Sequence, residues 1–581
     1  MRRDRLTDAG LSLVLALVVL GPFAFQRGFA LRGDLVLVPH QPWKDAWLGL
    51  DGSVARFVPG DAILSVTTTL VPGDLLEKLL LGGALVLAGA GAGRLVRDHG
   101  ALPRAAAIVV FCWNPWVFER LSIGQWGSVV GYAALPWLVV AAQGLRDEPR
   151  RGWPATVAWL GFTALWSPAS GLAGLLTAFV VVAMRPRLAS LAVVVGGAAL
   201  VNLPWLVPSL TVDQLRPTGA QFAGFAARGE SGAGLLPSLL SFGGIWKTSV
   251  VPGERTVAVV VLLACVPTLV ALVAAQRART DRTTLRGLVV LAAVTFLLVL
   301  LPALGPITRA LDDASAHLPA LAVFRDSQRF LGPPLLFVVP GVAAATDWLW
   351  RRARRGPGAV RLLAILLVAW PALCLPSMAW GMDGALAPVV YPGEWDRVRD
   401  SLDRVGPDTG GATVVLPWRG GYRGFAWNDH RAMLDPAPRY LPGEVLIDDR
   451  LYLGTETLGN EDPRLARVTT ALAAPDPASA LRAIGVRHVL VEKGNGVAPG
   501  DVPEGVVVFR GRWLTLVDLG SPTGSLPGDR PPAALVWSGD ALAAAVLLVS
   551  AVVSAVVAAG GTACRRVYGD RGSMGSGRGN S

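Results

Sequence analysis

The stretch FCWNPWVFERLSIGQWGSVVGYAALPWL, residues 111–138, decides how the rest of the chain is read. Two apolar arms flank a short turn, and Glu119 and Arg120 are its only charged residues. Ionisable groups set this deep in an apolar helix–turn–helix face a cavity or each other rather than lipid. A guanidinium matches phosphate oxygens as a two-pronged fork, so one reading makes Arg120 a clamp for a lipid phosphate. The other reading is a local pair between Glu119 and Arg120. Asn114, Gln125 and Trp126 add neutral polar and stacking surface beside them.

The apolar character continues in both directions. Of 581 residues, 52% are apolar and 16% charged, and the mean hydropathy is +0.49. Soluble proteins carry roughly a quarter charged residues, which excludes a single water-soluble domain, and disorder requires low hydrophobicity. Stretches of about 20 apolar residues, enough to span a bilayer, begin near Ala9, Asp74, Ala105, Gly127, Trp153, Ser170, Leu188, Val257, Gly287, Phe330, Arg361 and Asp540. The expected fold is an α-helical polytopic membrane protein of about twelve transmembrane helices. The first stretch follows Arg2, Arg3 and Arg5 as a signal peptide would. The FQRGFALRGD behind it lacks a small-x-small cleavage site, so a retained anchor is expected.

The 53 Lys and Arg against 42 Asp and Glu give a net charge of +11. Most of that excess follows membrane topology rather than a nucleic-acid patch. With the N-terminus inside, the successive inside loops carry Arg94/Arg97/Arg104, Arg146/Arg150/Arg151, Arg185/Arg187, Arg277/Arg279/Arg282/Arg286 and Arg351/Arg352/Arg354/Arg355, and the tail adds Arg565 and Arg566. This places the chain in the plasma membrane as a multi-pass protein with both termini cytoplasmic. The expected division is a multi-span region over residues 1–382, a small extracytoplasmic α/β domain over 383–535, and a last span with its tail over 536–581. Within the α/β domain, Glu394–Val405 reads as an amphipathic helix and a second helix is expected near Ala478–Ile484. Ala412–Leu416, His488–Glu492, Val506–Arg510 and Leu514–Asp518 read as strands, and the Gly520–Pro532 run as an exit linker.

The outside segments hold the candidate chemistry. Asp34 follows the first span closely, where a carboxylate beside a cavity acts as a base toward a sugar hydroxyl or is simply solvated. His40, Lys44, Asp45 and Asp51 share that loop with Trp43 and Trp47, which suit membrane-interface anchoring. Arg325 and Arg329 are four apart and share one helix face. Two cations on the face disfavoured by topology ask for an anion: a phospholipid head group, a polyprenyl phosphate, Asp326, or the Asp312/Asp313 pair. Trp427, Asp429 and His430, with Trp418, Tyr422 and Asn428, suit either carbohydrate stacking or packing and turn chemistry. No DxD in the first outer loop, GxSxG, Walker A or strand-associated GxGxxG is present. Metal, hydrolase, nucleotide and dinucleotide chemistry are therefore unsupported by motif, and no cofactor is expected. The four cysteines, Cys112, Cys265, Cys374 and Cys564, form no CxxC and no framework in the polar domain.

The retained first span, the GD of the following loop and the NPWVFERLSIGQWGSVVGYAALPW hairpin resemble the GT-C class of polytopic glycosyltransferases. More narrowly, they resemble its uncharacterised actinobacterial members related to arabinofuranosyl- and mannosyltransferases. The resemblance covers roughly residues 1–382 and is architectural. It implies transfer of a sugar from a polyprenyl-phosphate donor to a cell-envelope glycan or glycolipid acceptor on the outer face, among membrane lipids. It also implies an acidic base in the first outer loop, which falls on Asp34. Arg120, Arg325 and Arg329 would then bind the donor phosphate, with His40, Glu119, Gln125, Trp126, Trp427, Asp429 and His430 near sugar or acceptor. The outer domain departs from the all-β carbohydrate-binding module of several relatives. A non-catalytic envelope-assembly protein and a transporter or flippase of a lipid-linked glycan are the competing classes. The latter is expected to show matched halves with broken spans; Pro136, Pro168 and Pro204 interrupt spans without such matching.

Overall fold

The computed structural model describes residues 2–212, 221–354, 357–405, 411–453, 456–526, 528 and 530–573, and it places a helix on each of the twelve apolar stretches. By length and apolarity, eight helical segments among the described residues qualify as membrane spans, or nine if a bent pair counts as one. That pair, Leu188–Val201 and Leu203–Thr211, turns by 63° at Asn202. Pro204 stands in the first turn of its second half, where a residue without an N–H cannot continue the preceding helical ladder. Pro149–Ala164, Pro168–Ala183 and Gly358–Cys374 are helices of 16, 16 and 17 residues, short of a full crossing. The chain is a multi-pass helical membrane protein with a small sheet domain.

Ion pairs gather the predicted inside loops at one end of the bundle. Arg104 reaches Asp8 at 3.0 Å, Arg146 reaches Asp281 at 3.4 Å, and His99 and Arg351 share Asp347. Arg355 and the side chains of Arg2, Arg3, Arg565 and Arg566 lie outside the described part, as do residues 213–220 and, in the linker, Pro527 and Asp529.

The opposite end carries the α/β domain. Its strands are β1 (Ala412–Leu416), β2 (Tyr422–Arg423), β3 (Met433–Leu434), β4 (Val445–Leu446), β5 (Leu451–Leu453), β6 (Glu456–Leu458), β7 (Val486–Glu492), β8 (Val506–Arg510) and β9 (Leu514–Asp518). Five form one sheet in the order β4-β1-β7-β9-β8, with β1 parallel to both neighbours and β9 antiparallel to both of its own. Side chains alternate across a pleated sheet, and the packing follows that period. Val414, Leu416, Val489, Val491 and Val517 pack with Leu465, Val468 and Leu481 from the helices Pro463–Leu472 and Pro477–Ala483. Val415, Leu490, Leu514 and Leu516 point the other way, toward Trp395, Val398 and Leu402 of the helix Glu394–Val405, and that core runs on into the membrane region. The domain is therefore packed onto the bundle through a shared apolar core.

Candidate functional site

Asp34 lies on a tight turn, closed by Arg32 N–H to Leu35 C=O at 3.2 Å and the reciprocal bond at 2.9 Å. The turn presses on the hairpin turn at Ile123–Gly124, whose Ile123 carbonyl accepts from the Asp34 N–H at 3.0 Å. Two glycines permit this contact. Gly33 and Gly124 have φ of +55° and +89°, and a Cβ at either would fall within 2.2 Å of the facing backbone. Behind the loop, Glu77 accepts the Ala30 N–H with both carboxylate oxygens, at 3.2 and 3.3 Å, and the Lys78 ammonium donates to the Gly28 carbonyl at 2.8 Å. The quoted hairpin and the first loop thus hold Asp34 at the end of the bundle that carries the α/β domain.

The short β2–β3 hairpin completes the surround. Gly33 N–H donates to Ala432 C=O at 2.8 Å, Leu434 N–H donates to Gly33 C=O at 2.7 Å, and the Asn428 amide donates to Leu31 C=O at 3.1 Å. Tyr422 of β2 then meets Asp34, its hydroxyl donating to Oδ1. Oδ2 has no hydrogen-bond partner among the described residues. The half-buried Lys247 ammonium stands 5.6 Å from the centre of the Tyr422 ring. Burial pulls that ammonium below its usual pKa, opposed by the Asp34 charge and reinforced by Arg32. Burial and the adjacent Asp34 carboxylate push the Tyr422 phenol well above its ordinary value, opposed by Arg56 and Arg329.

Arg329 acts electrostatically on the same Tyr422 phenol. Its Nε donates to Asp326 at 2.9 Å, while its two terminal nitrogens have no partner among the described residues. It stands beside a small cleft lined by Trp116, Ser128, Tyr132, Leu135, Ser170, Ala173 and Pro333.

Arg120 has a different place from a phosphate clamp. It is fully buried, pairs with Asp326 at 2.9 Å, and also donates to Gln125 and Gln328. Burial pushes the Asp326 carboxyl up, but Arg120 and Arg329 outweigh that and hold it at about 2. Nor is there a local pair with Glu119, which instead accepts from Gln328 at 2.9 Å, next to the Arg255–Glu230 pair. Despite burial, Arg255 holds the Glu230 carboxyl below its ordinary value. Arg325 is bound to Glu461 of the α/β domain, and Glu461 also takes Arg56 at 3.0 Å.

The remaining candidates separate from Asp34 or serve packing. His40 is exposed and faces the Thr68 carbonyl at 3.4 Å. Trp126 is buried between the rings of Phe57 and Trp166, and Trp427 stacks on Phe425 with 4.9 Å between centres. Asp429 and His430, at φ of +50° and +53°, form the left-handed turn before β3. Sequence reasoning missed Lys247 as a site residue. It is one of four lysines in the chain and stands beside Trp246, which was the available signal.

In fold, the chain is similar to a membrane glycosyltransferase of known structure. The arabinofuranosyltransferase AftD from Mycobacteria superposes with a TM-score of 0.56 at 16% identity, over 90% of this chain and 40% of that one. A mutant form of AftD gives 0.51 at 15% identity, over 90% and 42%. The chain thus spans about two fifths of the length of AftD. Apo ArnT from Cupriavidus metallidurans aligns at 14% identity over 88% of this chain and 97% of that one, with a TM-score of 0.44, too low to bear on the fold. No family model matches the sequence, and no curated protein does.

Proposed function

We propose that the protein is a membrane glycosyltransferase that moves a sugar from a polyprenyl-phosphate donor to a glycan or glycolipid acceptor of the cell envelope. Residues 1–382 would form the transferase region and 383–535 the α/β domain, with 536–581 closing the chain as the last helix and tail. The α/β domain and Asp34 would lie on the outer face, both termini in the cytoplasm. The observation that carries the reading is Asp34, held by Tyr422 on one carboxylate oxygen and unpartnered on the other among the described residues, with Lys247 over the Tyr422 ring and Arg329 acting on the same phenol.

The chemistry follows from that arrangement. A polyprenyl chain stays in the bilayer, so its phosphate must meet cations at the membrane surface. Lys247 and the terminal nitrogens of Arg329, unpartnered among the described residues, are those cations. Asp34 accepts the proton of the acceptor hydroxyl as its oxygen bonds to the anomeric carbon and the carbon–phosphate oxygen bond breaks. The leaving polyprenyl phosphate is stabilised by charge and needs no strong acid. Arg120 and Arg325 support this surface from behind.

Native mass spectrometry of lipids co-purified with the full chain tests the reading, with wild type beside a Lys247→Met/Arg329→Ala variant. A retained polyprenyl-phosphate species, lost in the variant, is expected, together with transfer that Asp34→Asn reduces by about 10³-fold at unchanged abundance. Bulk phospholipid alone, equal in both proteins, would remove the donor site. Undiminished transfer by Asp34→Asn would remove the base.

A further inference from the structure

We propose that Tyr422 of the α/β domain is a positioning residue for Asp34: its hydroxyl holds Oδ1 and turns Oδ2 toward the acceptor, so that the site is complete only with that domain docked. The proposal rests on the reading of Asp34 as the base.

The placement of the two groups is over-determined. Tyr422 and Asp34 are 388 residues apart in sequence, yet the Gly33 backbone pairs with Ala432 and Leu434 on the very hairpin that carries Tyr422. On the other side, Arg423 fixes β2 to the sheet. It is buried, donates to Glu492 at the end of β7 at 2.7 Å, and pairs with Asp435 at 3.2 Å. Its guanidinium also donates to the Pro417 carbonyl at 2.9 Å. The backbone that carries Tyr422 is therefore held between the sheet and the Asp34 turn.

The occupancy of the carboxylate supports an orienting role. A carboxylate that is to take a proton must offer one oxygen at a defined angle, and a bond to the other oxygen removes its rotational freedom. Tyr422 binds one oxygen and leaves the other free. The raised phenol stays a donor throughout the neutral range, and the Lys247 nitrogen stands 5.6 Å from its ring centre. A packing role alone would use the ring and make no use of the hydroxyl, which gives the test its edge.

The experiment uses the full chain in lipid nanodiscs. Tyr422→Phe keeps the ring and deletes the donor. It should lower kcat by about 10- to 100-fold, as expected for one hydrogen bond to a charged group, with KM for the donor and the melting temperature unchanged. In isotope-edited infrared spectra, the Asp34 carboxylate stretch, assigned by its loss in Asp34→Asn, should shift in Tyr422→Phe. Should that variant fold poorly, 3-fluorotyrosine at position 422 keeps shape and strengthens the donor, moving the band in the opposite sense. An unmoved band with unchanged kcat overturns the positioning role while leaving Asp34 as the base. Full transfer by Asp34→Asn overturns the base itself, and the infrared band then still reports whether Tyr422 holds the carboxylate.

Discussion

Two charged clusters share one end of the bundle, and one is sealed while the other is open. The sealed cluster joins Glu119, Arg120, Glu230, Arg255, Asp326 and Gln328, nearly all fully buried. Its acids and bases answer one another, as the Arg120–Asp326 and Arg255–Glu230 pairs show. The open cluster sets the Asp34 carboxylate and Tyr422 near Lys247, Arg32 and Arg329, and among the described residues both Asp34 and Arg329 keep atoms without a hydrogen-bond partner. Residue types alone do not separate the two. Burial and pairing do: a paired, desolvated set is structure, whereas groups that keep atoms unpartnered among the described residues can receive a ligand.

The contrast breaks most visibly at Arg120. Arg120→Met removes one partner of a buried pair and leaves Asp326 with Arg329 alone, a loss of about 3–5 kcal/mol. Folded yield and melting temperature should collapse, while the transfer rate per folded molecule changes only a few-fold. A stable variant that has lost its polyprenyl-phosphate species would instead move Arg120 into the open cluster.

A smaller effect is expected where the α/β domain is clasped to the membrane region. Arg56 and Arg325 outweigh the burial of Glu461 and hold its carboxyl at about 2, against an ordinary value of 4.5. A depressed acid stabilises the fold fully above its unfolded value and loses that contribution as the pH falls through the folded one. Thermal melts of wild type and Glu461→Gln should therefore differ near neutrality and converge between pH 4.5 and about 2. Screening at the half-exposed Arg56 reduces the contribution to about 1–2 kcal/mol. Curves that stay parallel down to pH 2 would mean that the clasp contributes nothing.

The same division explains what could be read from the sequence. Helices were legible at all twelve stretches because long apolar runs are a local signal, and β1, β8 and β9 begin and end where alternation places them. The number of crossings was less so, because Pro149–Ala164 opens on two arginines and the Leu188 helix bends before its span is complete. Asp34 was legible from its place behind the first span. Its partner was not: Tyr422 lies in a crowd of aromatic and polar residues in which Trp427, Asp429 and His430 carried an equal signal, and only the pairing at Gly33 singles it out. Arg120 and Asp326 meet across 206 residues, so a local reading offered Arg120 only its neighbour Glu119 or a lipid phosphate. Burial and long-range pairing decide roles, and neither is written in spacing.

Arg325 sharpens the comparison at its weakest point. It lies four residues from Arg329, and the sequence gives the two equal standing as phosphate ligands. In the structure its guanidinium is engaged by Glu461 and Gln221 and lies 5.3 Å from the Phe225 ring centre, whereas the terminal nitrogens of Arg329 have no partner among the described residues. Replacing one arm of a partly exposed pair costs about 0–1 kcal/mol, and Arg56 still holds Glu461. Arg325→Gln should leave the co-purified donor and the transfer rate within about threefold of wild type, while Arg329→Gln depletes the donor. Equal loss in both variants would show that Glu461 yields Arg325 to the substrate, and the boundary between the clasp and the open cluster would then be redrawn to include it.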